Sequence, residues 1–262
     1  MIKNIYIELT EKFNAGRLRA VICSGQAAVL HRIAIMSKDG DWIIREDQEC
    51  LSHIMNILEG YGAVYRFGAP LDTRWLKGGW SSHFEFMYEN IRIRTDFFTR
   101  PPRIFPGMLE ELWNESEGKH PPFTNKRILA EMKKTNREKD YVVIGELARR
   151  MENPRDIFLY SRSARDIVEL AGAFPDILLE VIGRRELLSK LPCPVDELEK
   201  ELDAERRKLM HANEERLLKY ADMSQKWADK WAGVQNQVCG MPLTEAHGII
   251  VKNAEGILPC TP

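Results

Sequence analysis

Residues 18–44, LRAVICSGQAAVLHRIAIMSKDGDWII, carry the pattern from which the fold follows. Leu18 to Cys23 reads as a short strand, Ser24 and Gly25 form a tight turn, and Gln26 to about His31 reads as a short helix. A strand, a glycine turn and a helix bring backbone N–H groups to a helix start, a geometry suited to phosphate. After a polar turn at Ser37 to Gly40, Asp41 to Ile44 begins a second strand. In extended chain, residues two apart share a face, so Asp39 and Asp41 project together. Two carboxylates side by side repel unless a cation neutralises them, and hard oxygen ligands beside a phosphate site suit Mg²⁺.

Reading outward, Ile2, Ile5, Tyr6, Leu9 and Phe13 recur with a helical period that stops at Gly16. Downstream, a helix is expected over about Gln48 to Tyr61, then strands around Ala63 to Phe67, His83 to Tyr88 and Ile91 to Phe98, broken by the loop Leu76 to Ser82. The last strand alternates Arg92, Arg94 and Asp96 against Ile91, Ile93 and Phe97. Asp96 is therefore a third carboxylate for the same site, and Arg94 a cation beside it. Arg100 and Arg103 flank two prolines just beyond, two guanidiniums on a stiff turn suited to phosphate or an RNA backbone. Trp75 and Trp80 either lid the core or stack a base, and the hydroxyl-bearing loop that follows could position an acceptor.

From Phe123 onward helical periodicity takes over: about Lys126 to Lys134, Asp140 to Met151, Ala164 to Ala173 and Asp176 to Leu188. The breaker cluster Gly118 to Pro122 marks the boundary, giving an α+β domain with a small mixed sheet over residues 1–118 and an all-helical domain over 119–262. Leu198, Leu202, Leu209, Ala212, Tyr220, Met223, Trp227, Trp231 and Val234 define one long helix or a bent pair. Forty helical residues span roughly 60 Å, long enough to offer a homodimer contact. The tail from Gln235 has weak periodicity and reads as a strand pair, an arm or disorder.

The 262 residues carry 38 Lys+Arg and 39 Asp+Glu, a net charge of −1, with 44% hydrophobic residues. That balance excludes a wholly disordered chain and a strongly basic, non-specific nucleic-acid binder. No apolar stretch approaches a membrane span and residues 1–13 are charged where a signal peptide is apolar, so the expectation is a cytoplasmic protein without a membrane partner. The five cysteines form no CxxC pair and read as reduced thiols in or near the core. Walker A, dinucleotide-binding and GxSxG patterns are absent.

The order of these motifs resembles the nucleotidyltransferase fold of the DNA polymerase beta-like enzymes, in particular the bacterial minimal and AbiEii-like nucleotidyltransferases. The resemblance covers about residues 18–104 and, more loosely, the helix beginning near Lys126. Ser24 and Gly25 match the family's Gly-Gly or Gly-Ser turn, His31 a histidine at the end of the short helix, and Asp39, Asp41 and Asp96 its three carboxylates. Leu129 to Asp140 looks like the lysine-bearing helix and Arg-x-Lys-Asp turn. Gln26 departs from the small residue of the family. The resemblance implies transfer of a nucleoside monophosphate from a nucleoside triphosphate to an acceptor hydroxyl, on tRNA or protein in a toxin or defence setting with a cognate antitoxin. It implies two Mg²⁺ ions on Asp39, Asp41 and Asp96, with Asp96 taking the acceptor's proton. Ser24, Gly25, Arg94, Arg100, Arg103 and Lys133 or Lys134 would hold the nucleotide. The alternative is a degenerate member that binds a nucleotide or a partner without turnover.

Overall fold

The computed structural model describes residues 4–262. Ile2 of the expected first helix lies outside them. The fold is α+β: a five-stranded mixed sheet in the first half of the chain, helices thereafter. Among the described residues no helix is long and apolar enough to cross a membrane.

In chain order the first half contains α1 (Ile5–Phe13), β1 (Ala20–Ile22), α2 (Ser24–Leu30), β2 (Asp39–Ile44), α3 (Gln48–Gly60), β3 (Val64–Tyr65), α4 (Thr73–Leu76), β4 (Ser82–Tyr88), β5 (Ile91–Phe98) and α5 (Pro106–Ser116). Asn4 caps α1 and Asp47 caps α3, each side chain accepting a hydrogen bond from an N–H of the first turn. The strands lie in the order β1-β2-β5-β4-β3, with β2 and β5 parallel and the other pairs antiparallel. The outer edge of β1 is covered by residues 122–124, which bridge Ile22. The breaker cluster expected to separate domains thus leads into an edge of the sheet.

Burial follows strand alternation. Trp42, Phe84 and Phe97 are fully buried on one face of the sheet. Trp42 stacks on Phe97 at 5.3 Å between centroids, and Phe13 of α1 meets both edge-on. Gly40 shares that face with Trp42, and a Cβ there would stand 2.5 Å from the Tyr6 ring, so only glycine lets α1 sit this close.

The helical region contains α6 (Lys126–Met132), α7 (Glu138–Ala148), α8 (Pro154–Tyr160), α9 (Ala164–Ala173), α10 (Pro175–Val181), α11 (Val195–Gln237) and α12 (Leu243–Ala254). Two 3₁₀ turns, Ile182–Arg184 and Glu186–Lys190, replace the second half of the helix expected to run to Leu188. α11 is a single helix of 43 residues. The tail is neither strand nor arm but α12, with Leu243, Ala246, Ile250 and Ala254 buried. Two alanines carry half of that stripe, which is why its periodicity is faint in the sequence.

Contacts divide the chain into two units, one through Thr124 with Leu218–Pro262 added, the other Asn125–Leu217. The C-terminal segment therefore belongs with the sheet, unlike the simple split at 118/119. Trp227 Nε1 donates to the Gly68 carbonyl at 2.9 Å, and Trp231 packs edge-on to Phe67. Trp75 and Trp80 are buried, donating their indole N–H groups to the carbonyls of Leu258 and Pro259. Of the two readings for these tryptophans, the core role holds. Cys23 and Cys50 are buried, but Cys239 and Cys260 are exposed, away from the core positions expected for them.

Candidate active site

The register of three strands builds the site. Asp41 on β2 stands opposite Asp96 on β5, and Asp96 stands opposite His83 on β4. One pleat along, Asp39 pairs with Arg94 and Arg94 with Glu85. The face opposite the aromatic core thus carries two rows of three polar residues, His83·Asp96·Asp41 and Glu85·Arg94·Asp39. Alternation within each strand puts these residues on one side, and the parallel pairing of β2 and β5 brings the rows into line.

Asp39 Oδ1 is shielded from solvent without a hydrogen-bond partner, although the rest of that side chain is exposed. It forms a long ion pair with the Arg94 guanidinium, at 4.0 Å. A shielded carboxylate oxygen that makes no hydrogen bond is unfavourable and can take a further ligand. The charge concentration also acts on Tyr6, whose hydroxyl donates to the Lys38 carbonyl at 2.6 Å. Burial, with Asp39 and Asp41 adding to it, pushes the Tyr6 phenol up to about 12.

Asp96 is engaged differently. Its Oδ1 accepts from His83 Nδ1 at 2.7 Å and from Arg66 Nη1 at 3.3 Å. Arg66 also stands 3.8 Å from Glu85. As the side chains lie, no group of three or more His, Cys, Asp and Glu among the described residues could hold a metal ion. The expected three-carboxylate cage is therefore not assembled, because the third carboxylate is turned toward a histidine and an arginine. Two carboxylates with substrate phosphates and water satisfy Mg²⁺, so the oxygen donors of Asp39 and Asp41, one of them without a hydrogen bond, still fit such an ion.

The Ser24-Gly25 turn abuts the carboxylate strand. Gln26 is buried and its Nε2 donates to the carbonyls of Ser37 at 3.0 Å and Asp39 at 3.3 Å, pinning the chain that enters β2. A Cβ on Gly25 would stand 2.2 Å from Ser37 Oγ. Gln26 thus holds the Asp39 segment in place. Ser24 has φ of +52°, a left-handed conformation in which glycine is at ease. His31 Nε2 donates to the Thr124 carbonyl at 2.9 Å and its ring meets Phe123 edge-on, tying α2 to the edge segment of the sheet.

Arg100 pairs with Glu46 at 2.8 Å, at the far end of β2, on the order of 13 Å along the chain from Asp96. The structure does not bring it to the carboxylates; the sequence places it after the strand but says nothing of its partner. Arg103, at φ of +66°, lies in the turn that follows. Lys133 and Lys134 belong to the Asn125–Leu217 unit. There Lys133 pairs with Asp140 at 3.1 Å in a buried contact, and Lys134 with Glu131 at 2.7 Å. His83 and Arg66 are the residues that sequence reasoning missed as partners of Asp96. The alternation of His83 and Glu85 against Phe84 and Phe86 was the available signal for His83.

A cleft of about 590 Å³ opens beside Asp39, with Tyr6, Met36, Lys38, Ile91 and Arg94 among its walls. Its size lies within the range of small-molecule sites, and its walls combine apolar surface with cations.

No family model matches the chain. No curated protein matches it either. Among solved structures, the crystal structure of a candidate nucleotidyltransferase from H. pylori is similar to it at 11% identity, covering 80% of this chain and 94% of that chain with a TM-score of 0.36.

Proposed function

We propose that the chain transfers a nucleoside monophosphate from a nucleoside triphosphate to an acceptor hydroxyl, with the polar face of β2, β5 and β4 as its site. The observation that carries this reading is the placement of Asp39 and Asp41 on one face of β2, with Asp39 Oδ1 shielded from water and making no hydrogen bond, beside a cleft of about 590 Å³. Asp39 and Asp41 would hold a divalent cation. When bound, such an ion neutralises the triphosphate and stabilises the departing pyrophosphate. Arg94, beside Asp39, would meet phosphate oxygens, and the apolar walls at Tyr6, Met36 and Ile91 would take the base and ribose. His83 Nε2 would receive the acceptor's proton, with Asp96 holding the ring through Nδ1.

Incubation with each labelled nucleoside triphosphate, Mg²⁺ and total RNA tests the reading. Label should pass to an acceptor with the parent protein and be lost with Asp39→Ala; equal transfer by both would refute it. The second reading, binding without turnover, draws on Gln26, which is committed to the backbone at Ser37 and Asp39 where the family carries a small residue. It expects nucleotide binding by calorimetry with no product from any of the four triphosphates.

A further inference from the structure

Ser81, immediately before β4, places its hydroxyl 2.9 Å from His83 Nε2, while His83 Nδ1 lies 2.7 Å from Asp96 Oδ1. An ionised carboxylate only accepts, so Nδ1 carries the ring proton and donates it to Asp96. In the neutral ring Nε2 presents a lone pair, and Ser81 donates its hydroxyl proton there. The result is a hydroxyl, a base and a carboxylate that orients the base, all within hydrogen-bond reach, the arrangement that makes serine nucleophilic.

The surroundings hold this chain of bonds in place. A Cβ on Gly68 would stand 2.4 Å from His83 Cδ2, so the ring lies against bare backbone. The Gly68 carbonyl is itself fixed by the Trp227 indole. Arg66 supports Asp96 from the other side. The Ser81 hydroxyl is half-buried and the His83 side chain is 25% exposed, which leaves room for a substrate to approach. The electrophile suited to this setting is a phosphoryl group, because Arg66 and Arg94 supply cations on the same face.

We propose that Ser81 is a covalent acceptor of the nucleotidyl group, an inference that rests on the function proposed above. Ser81 Oγ attacks the α-phosphorus as its proton passes to His83 Nε2. The Oγ–P bond forms, the bond from the α-phosphorus to the bridging oxygen breaks, and pyrophosphate leaves with the electron pair. The product is a serine phosphodiester, with nothing oxidised or reduced. Ser81 is the nucleophile, His83 the base, and Asp96 a positioning residue acting through His83.

Two probes separate the parts of this idea. A fluorophosphonate needs an activated serine but neither nucleotide nor cation. It should label the Ser81 peptide of the parent, not Ser81→Ala, and should label His83→Asn and Asp96→Asn at a rate on the order of a hundredfold lower at unchanged melting temperature. Absence of labelling, or equal labelling of the His83 variant, overturns the proposal. Each α-labelled triphosphate with Mg²⁺ should then give an adduct that peptide mapping places on Ser81 and that Ser81→Ala lacks. Transfer to RNA that Ser81→Ala leaves unaltered, with no adduct on the parent, overturns the serine proposal and leaves nucleotidyl transfer standing. Fluorophosphonate labelling without nucleotidyl transfer to any acceptor overturns both.

Discussion

Asp41 and Asp96 face each other directly across the parallel pair β2 and β5, and Asp96 accepts a hydrogen bond from His83 on the next strand. Asp96 is thereby committed to orienting a base, while Asp41 shares its face of β2 with Asp39.

The two aspartates should respond differently to loss of charge. Asp41→Asn is expected to weaken Mg²⁺ or Mn²⁺ binding and to slow nucleotidyl transfer on the order of a hundredfold or more, since cation stabilisation of the reaction is worth several kcal/mol. Asp96→Asn should slow transfer comparably through a misplaced His83 while leaving cation affinity in calorimetry close to that of the parent. Equal loss of cation affinity in both variants would make Asp96 a ligand after all.

Ser24 occupies a left-handed conformation at the start of α2, which disfavours any side chain with a Cβ. Ser24→Gly relieves that strain but frees the unfolded chain, and the balance should raise stability by about 0.5–1 kcal/mol in urea unfolding. A decrease would mean that the hydroxyl makes a compensating contact.

Lys133 is expected to act as a structural cation within its unit. Its Nζ lies 3.1 Å from Asp140, which also accepts from Thr135 Oγ1 at 2.5 Å and Arg137 Nε at 2.8 Å. Burial works to raise the Asp140 pKa, but the Thr135 hydrogen bond and the Lys133 charge outweigh it and hold the carboxyl below its ordinary value. Lys133→Met should cost about 3 kcal/mol, the scale for breaking a buried pair. A depressed carboxyl stabilises the fold above its ordinary pKa, and the contribution is lost as pH falls through the folded value. The variant should therefore unfold at higher pH in acid titration. An unchanged urea midpoint would release Lys133 for a nucleotide role.

His247 on α12 should make the fold sensitive to mild acid. Tyr65 OH lies 2.8 Å from its Nδ1, and the same oxygen accepts from the Leu71 N–H at 3.1 Å. Burial lowers the His247 pKa from 6.5, with Asp72 opposing and Arg74 reinforcing the shift. As pH falls below 6.5 the unfolded chain binds the proton first, so stability drops on acidification and recovers above that value. Thermal melts between about pH 7.5 and about pH 5.5 should show this slope, and His247→Asn should flatten it.

The reading from residues alone extends as far as local pattern does. Strand alternation at His83–Tyr88 and Ile91–Phe98 placed Arg92, Arg94 and Asp96 on one face, and the 3.6-residue period located α3, α9 and the long α11. These features depend on neighbours within a few positions, which the sequence displays directly. α5 and α8 escaped because each opens on a proline, Pro106 and Pro154, that is tolerated in a first helical turn yet also reads as a breaker. The pairing of β2 with β5, which sets Asp41 beside Asp96, joins positions 55 residues apart, and so depends on which strands share a core. Likewise Ser81, His83 and Asp96 form a hydrogen-bonded chain only because β4 and β5 pair in one register. A slip of one residue would turn Asp96 to the aromatic face and leave a sequence of identical periodicity with no site.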